Sequence, residues 1–249
     1  MAARVRTATL MALRDQRRRP LVLILIVIVP VYVVTRSIAT TEPTPRAIRL
    51  PGDALALTTM KELHGAVMAG TAIAFTAALI GVFVMQSALQ GDRRLVVAGY
   101  RPGETVLPRL GVLTLATALV VAVSALATAA YFTPASWPRL LVALALIGLT
   151  YGSIGALGGA VLGNLAATYW ILFLVMTDLG IVQNPMFGDG TPADWAAVLP
   201  GYGASRVMVD AAFSDGFHTA GALLLAIAWA VALGAAVYVV LRRAVSTTG

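Results

Sequence analysis

The chain has 249 residues, 59% apolar and only 12% charged, with a formal net charge of +7 and no cysteine; its mean hydropathy is +0.87. A soluble domain is nearer half apolar and a quarter charged, and a disordered chain has the opposite bias, so both classes are excluded. Without cysteine there is no disulfide, thiolate metal site or thiol nucleophile.

In lipid this length accommodates about six spans of roughly 20 residues. The expected fold is therefore an all-α integral membrane protein with one domain over 1–249: a cytoplasmic segment 1–19, a six-span bundle 20–241 and a tail 242–249. Arg4–Arg19 comes first. Val5, Ala8, Ala12 and Leu13 share a loose apolar sector beside Arg14, Arg17, Arg18 and Arg19. That pattern suits a helix lying along the interface and leading through Arg17-Arg18-Arg19-Pro20 into the membrane.

The six apolar stretches are Pro20–Thr35, Leu63–Leu89, Leu107–Phe132, Leu140–Gly163, Tyr169–Gln183 and Thr219–Leu241. Only the third (Arg109) and the fifth (Asp178) contain a charge. The first and fifth, at 16 and 15 residues, cover about 22–24 Å and are short for a simple span. Ser37-Ile38-Ala39 has the form of a signal-peptidase site, but the 19-residue basic region ahead of the run and the interrupting Arg36 argue against cleavage, which would leave five spans.

Between the first two stretches, Thr40–Lys61 carries Glu42-Pro43-Thr44-Pro45 and reads as extended chain. After the second stretch, Asp92 is placed to cap a short helix from Arg93 to Ala98, which Gly99 ends. Thr133–Pro138 is a tight turn with Trp137 as an interface anchor. The link at Asn164–Thr168 is very short. The last connection, Asn184–His218, is long and half apolar. It holds Trp195–Leu199, a break at Pro200-Gly201, and Ala204–Phe213 with apolar residues at 204, 207, 208, 211 and 212, the spacing of an amphipathic helix. Next to a short fifth span this predicts a re-entrant or interface-lying pair of helices.

Arginine and lysine set the orientation. Twelve of the 18 lie in Arg4–Arg19, Arg93–Arg109 and Arg242–Arg243, and six lie in the alternate segments. Both termini are expected in the cytoplasm of a cell-membrane protein, and the positive charge at that face makes a nucleic-acid partner unnecessary.

The motifs narrow the chemistry. A phosphate-binding loop needs a Gly-Lys-Ser/Thr ending, and the sole lysine, Lys61, is followed by Glu62, so the chain binds no ATP of its own. An intramembrane serine protease would use Ser153 and His218, but Tyr151-Gly152-Ser153-Ile154 is not its Gly-x-Ser-Gly motif, and the two side chains fall at different depths. His64 and His218 make a poor metal site without further ligands. Gly148, Gly152, Gly155, Gly159 and Gly163 share one face of the fourth span. They read as a packing seam, with a sliding surface as the functional alternative. Asp178, a carboxylate inside a span, either binds substrate or a proton or is a structural hydrogen-bonded group.

Three features taken in order, RRRP before span one, DRRLVVAGYRPGETVLPRL before span three and WAAVLPGYGASRVMVDAAF before the last span, resemble the membrane permease of type-2 ATP-binding-cassette exporters over the full chain. The resemblance implies a six-helix subunit pairing with a second permease subunit, as homo- or heterodimer, above separate cytoplasmic ATPase subunits that hold ATP and Mg. It implies a coupling helix of Asp92, Arg93, Arg94, Leu95, Tyr100 and Arg101 that docks on the ATPase together with Arg4–Arg19, and a minor contact near Asn164–Thr168. The chain itself carries no catalytic, cofactor or metal site in this reading. An ion-coupled secondary transporter or channel using Asp178 is the alternative, and a non-transporting scaffold is the third.

Overall fold

The computed structural model describes the backbone of residues 20–51, 55–97, 102–187 and 191–246, with side chains over 24–51, 55–85, 104–187 and 191–244. The expected interfacial helix with Arg14, Arg17, Arg18 and Arg19 lies outside these residues, as do Tyr100 and Arg101.

The chain forms α1 (Pro20–Thr40), a hairpin of β1 (Pro45–Arg49) and β2 (Leu55–Thr59), α2 (Met60–Val97), α3 (Pro102–Ala129), α4 (Trp137–Leu162) and α5 (Asn164–Val175). The α5 rod continues as a wider π-helical segment, Met176–Val182; a 3₁₀ turn, Asp194–Val198, precedes α6 (Tyr202–Phe213) and α7 (Ala220–Ser246). Five of the rods, Met60–Met85, Glu104–Ala129, Trp137–Leu162, Asn164–Val182 and Ala220–Ala244, are long and apolar enough to cross a membrane, and α1 adds the shorter apolar run Ile24–Thr40. The fold is thus helical and membrane-embedded in character, with one small antiparallel hairpin attached.

Helix ends follow local signals that hydropathy does not report. At the start of α2, Thr59 and Glu62 form a reciprocal capping box: the Glu62 N–H donates to Thr59 Oγ1 and the Thr59 N–H to Glu62 Oε2, both at 3.2 Å. Pro102 opens α3 and Pro138 sits in the first turn of α4, positions where a missing N–H costs nothing. In α1, Thr35 and Thr40 return their hydroxyl protons to Val31 and Arg36 carbonyls at 2.6 and 2.8 Å, so polar side chains stay satisfied within the rod. The first rod therefore runs on to Thr40, beyond the expected end at Thr35. The fifth starts at Asn164 and reaches Val182, long enough to cross a membrane. Asn164–Thr168 is the first turn of that rod, since Gly163 alone joins it to α4.

One expectation is corrected and another is made specific. The segment after the second span is no separate capped helix: α2 continues unbroken through Gly91, Asp92, Arg93, Arg94 and Leu95 to Val97, one glycine costing a helix only about 1 kcal/mol. Within the expected extended segment, Pro45–Arg49 and Leu55–Thr59 pair as an antiparallel hairpin in the register Pro45↔Thr59 to Arg49↔Leu55. Its inner face seats Ile48, with the following Leu50, against Leu63 and Val209.

The centre of the bundle is α2, whose apolar window is 83% buried, whereas that of α7 is only 11% buried and lies at the rim. Lipid tails are as apolar as leucine, so helices in a bilayer gain by close van der Waals approach rather than by leaving water. The α2–α4 crossing shows this. A Cβ at Gly148 would stand 3.1 Å from Ile73 Cγ2 (and 2.5 Å from Thr117 Cγ2 of α3), at Gly155 2.0 Å from the Ala78 carbonyl oxygen, and at Gly159 3.0 Å from Val82 Cα. From the other side, a Cβ at Gly81 would lie 2.2 Å from the Gly152 carbonyl oxygen. The seam thus exists, and its partner is α2. Gly163 does not belong to it. Nothing approaches its Cβ position, and its φ of 73° places it in the left-handed region that ends α4.

Candidate functional site

The segment between the fifth and last rods turns back into the bundle. At the hairpin end, Ala135 and Ser136 amides donate to the carbonyls of Ala212 and Ala211 at 3.1 and 2.9 Å. At its other end, α6 begins at Gly201, where a Cβ would be 2.7 Å from Tyr151 Oη. Tyr151 is roughly 20 Å of helix rise from the start of α4. The helix α6 therefore runs antiparallel to α4 from mid-bundle outward, and Gly203 to Ala212 are buried apart from Arg206. The segment thus packs back along α4.

Irregular backbone at that depth must find its own hydrogen bonds, and Asp178 organises them. It sits on the π-helical segment, 1% exposed. Oδ2 accepts from Tyr151 Oη at 2.5 Å and from the Gly201 amide at 3.0 Å. Oδ1 accepts from Gln183 Nε2 at 3.1 Å. That same nitrogen donates to the Ala196 carbonyl at 3.2 Å, in the 3₁₀ turn. One carboxylate thereby joins α4, the π-helical segment, the 3₁₀ turn and the N-terminus of α6. All three direct partners are donors, the set an anion requires, and the first turn of α6 adds the positive end of its dipole. Nearby, Asn184 donates to the Gly180 carbonyl and accepts from the Met186 amide, each at 3.0 Å.

Both oxygens of Asp178 are engaged by donors and the side chain is buried. Tyr151, Gln183 and Gly201 were not singled out from the sequence as its partners. Tyr151, a phenol midway along an apolar rod, was the available signal, since a buried hydroxyl needs a partner.

A second buried carboxylate escaped the sequence reading. Asp210, on α6 and fully buried, accepts from Thr219 Oγ1 at 3.0 Å and from the His218 amide at 3.2 Å. His218 Nδ1 lies 3.4 Å from its Oδ1 and Arg139 Nη1 3.8 Å from its Oδ2. Arg139 also donates to the carbonyls of Ser214, Asp215 and Gly216, strapping the α6–α7 turn to α4. Ser214 Oγ approaches the same His218 nitrogen, at 3.3 Å. A catalytic relay needs acid and nucleophile on opposite ring nitrogens, so this trio is a turn lock. His64 is elsewhere, with Nδ1 2.7 Å from Thr41 Oγ1, and Ser153 is buried in α4. Among the described residues no group of three His, Asp or Glu side chains is placed to hold a metal ion.

Asp92, Arg93, Arg94 and Leu95 are carried on the far end of α2. The structure does not bring them near Asp178, which belongs to the half of the bundle holding α6. No protein-family model, curated protein or solved structure matches the chain.

Proposed function

We propose that the chain is the permease subunit of an ATP-driven exporter of the type-2 ATP-binding-cassette kind. It pairs with a second permease subunit and with separate cytoplasmic ATPase subunits, and moves an amphipathic or lipophilic substrate outward. The observation that carries this reading is the re-entrant pair held at depth by Asp178 between the fifth and last rods, in the order the sequence resemblance calls for. The continuity of the central helix supports it. The far end of α2, up to Val97, carries Asp92, Arg93, Arg94 and Leu95.

In this mechanism ATP is bound and hydrolysed on the partner chains, and this chain transmits force. A push on the end of α2 reaches the centre of the bundle. The glycine seam leaves no slack between α2 and α4, so α4 follows. Tyr151 on α4 then draws on Asp178 and, through the Gly201 amide, on α6. A bistable element that both ends bias is what coupling requires. Here that element is the re-entrant pair.

The test is the double variant Arg93→Glu, Arg94→Glu. Transport and its coupled ATP hydrolysis should be lost while the subunit stays in the membrane; unchanged coupling removes the docking assignment. A mild-detergent purification from native membranes tests the partners. A soluble chain with a phosphate-binding loop should come with it in stoichiometric amount, and isolation alone, under conditions that preserve known complexes, overturns the proposal. The ion-coupled alternative has less support, because Asp178 is buried with both oxygens held by donors.

A further inference from the structure

The amide of Gln183 has one unmatched atom. Its nitrogen faces two acceptors, Asp178 Oδ1 and the Ala196 carbonyl. Only an NH₂ group satisfies both, so chemistry fixes the orientation of the amide and leaves Oε1 on its other side. That oxygen is buried and has no hydrogen-bond partner among the described residues. Native proteins rarely leave such an acceptor bare.

Gln183 also lines a small cavity with about 10 Å³ of room for the centre of a water molecule. That is close to the minimum for one water and too little for an organic ligand. Thr71, Gln183 and Ser205 supply its polar lining, and Gly70, Ile147 and Met208 are among its apolar lining residues. Gly70 leaves room here for the ends of two side chains: a Cβ would lie 2.8 Å from Met208 Sδ and 3.3 Å from Ile147 Cδ1. The Thr71 hydroxyl proton is committed to the Val67 carbonyl at 3.0 Å, so Thr71 offers the cavity an acceptor. Ser205 offers a hydroxyl able to donate.

We propose that this cavity is the site of one structural water. It donates one hydrogen to Gln183 Oε1 and the other to Thr71 Oγ1, and it accepts from the Ser205 hydroxyl. Three bonds are the usual complement of a buried water. The water joins the central helix α2 to the re-entrant α6 and holds the free side of the amide that clamps Asp178. The site stands whether or not the chain is a permease, because it rests on the bundle interior alone.

The test is a structure of the full chain in lipid nanodiscs at a resolution that shows ordered water. The expected result is a single peak within hydrogen-bonding distance of Gln183 Oε1 and of Ser205 Oγ or Thr71 Oγ1. In the Thr71→Val, Ser205→Ala double variant that peak should vanish while Gln183 keeps its bonds to Asp178 and Ala196. An empty cavity in the unsubstituted protein overturns the proposal. So does a Gln183 oxygen turned onto a protein donor, or a peak with the short, five- or six-fold oxygen ligation of a cation. A peak that persists unchanged in the double variant refutes the assigned partners.

Discussion

Replacing Gly155 with alanine probes the contact on which the bundle centre depends. The new Cβ would stand 2.0 Å from the Ala78 carbonyl oxygen, 2.6 Å from its carbon and 2.7 Å from Cα. These are backbone atoms of α2, and no rotamer change moves them. Ordinary contact begins near 3.4 Å, so the two helices must part locally by about 1.4 Å. A gap of 0.5–1 Å already forfeits about a quarter to a half of each dispersion well, and dispersion is the main force between helices in lipid. Overpacking costs about 1–3 kcal/mol where neighbours can yield. Here they cannot, and a loss of about 3 kcal/mol or more is expected. Gly111→Ala on α3 is the control: nothing lies within 4 Å of its Cβ position, and alanine favours the helix by about 0.8–1 kcal/mol over glycine. The assay is thermal inactivation in mild detergent, followed as the fraction that remains monodisperse on size exclusion. Gly155→Ala should fail well below the unsubstituted protein, with Gly111→Ala at or above it. Coincident curves for the two variants would refute the α2–α4 seam.

Asp178→Asn should lose about 1–3 kcal/mol of stability, because its NH₂ must face one of the donors that now serve the carboxylate; full stability with transport abolished would instead assign Asp178 to substrate or proton binding. Arg139→Ala frees the carbonyls of Ser214, Asp215 and Gly216 and should raise amide exchange across the α6–α7 turn while leaving the middle of α2 protected, as read by hydrogen-exchange mass spectrometry. Thr59→Ala removes half of the capping box and should cost about 0.5–2 kcal/mol, seen as fraying of the first turn of α2 with the rest of that helix intact.

The amino-acid sequence alone determined the membrane character, the order of the rods, the glycine face of the fourth rod, the break before the last rod and the presence of a carboxylate where carboxylates are costly. Each is a property of one segment, set by how its own side chains partition into lipid or repeat along a helix. Some further local information was legible and went unread, since Thr59–Glu62 and the prolines at 102 and 138 mark helix starts by hydrogen-bond chemistry that hydropathy ignores. Gly163 continues the spacing of the seam. Only its positive φ and the empty space around it show that it ends a helix instead.

Tertiary structure alone decided which residues meet. The glycine face needed α2 and Gly81 to become a seam. Asp178 needed Tyr151, 27 residues away, and Gly201, 23 residues away, to become a staple. Asp210 lay hidden because it reads as a polar-side residue of an amphipathic helix until Thr219, His218 and Arg139 gather around it. In a bilayer, apolar side chains choose between lipid and protein almost indifferently, whereas a buried donor or acceptor must find its complement. Pairing of polar groups across the bundle, which no single segment encodes, therefore fixes how these rods are assembled.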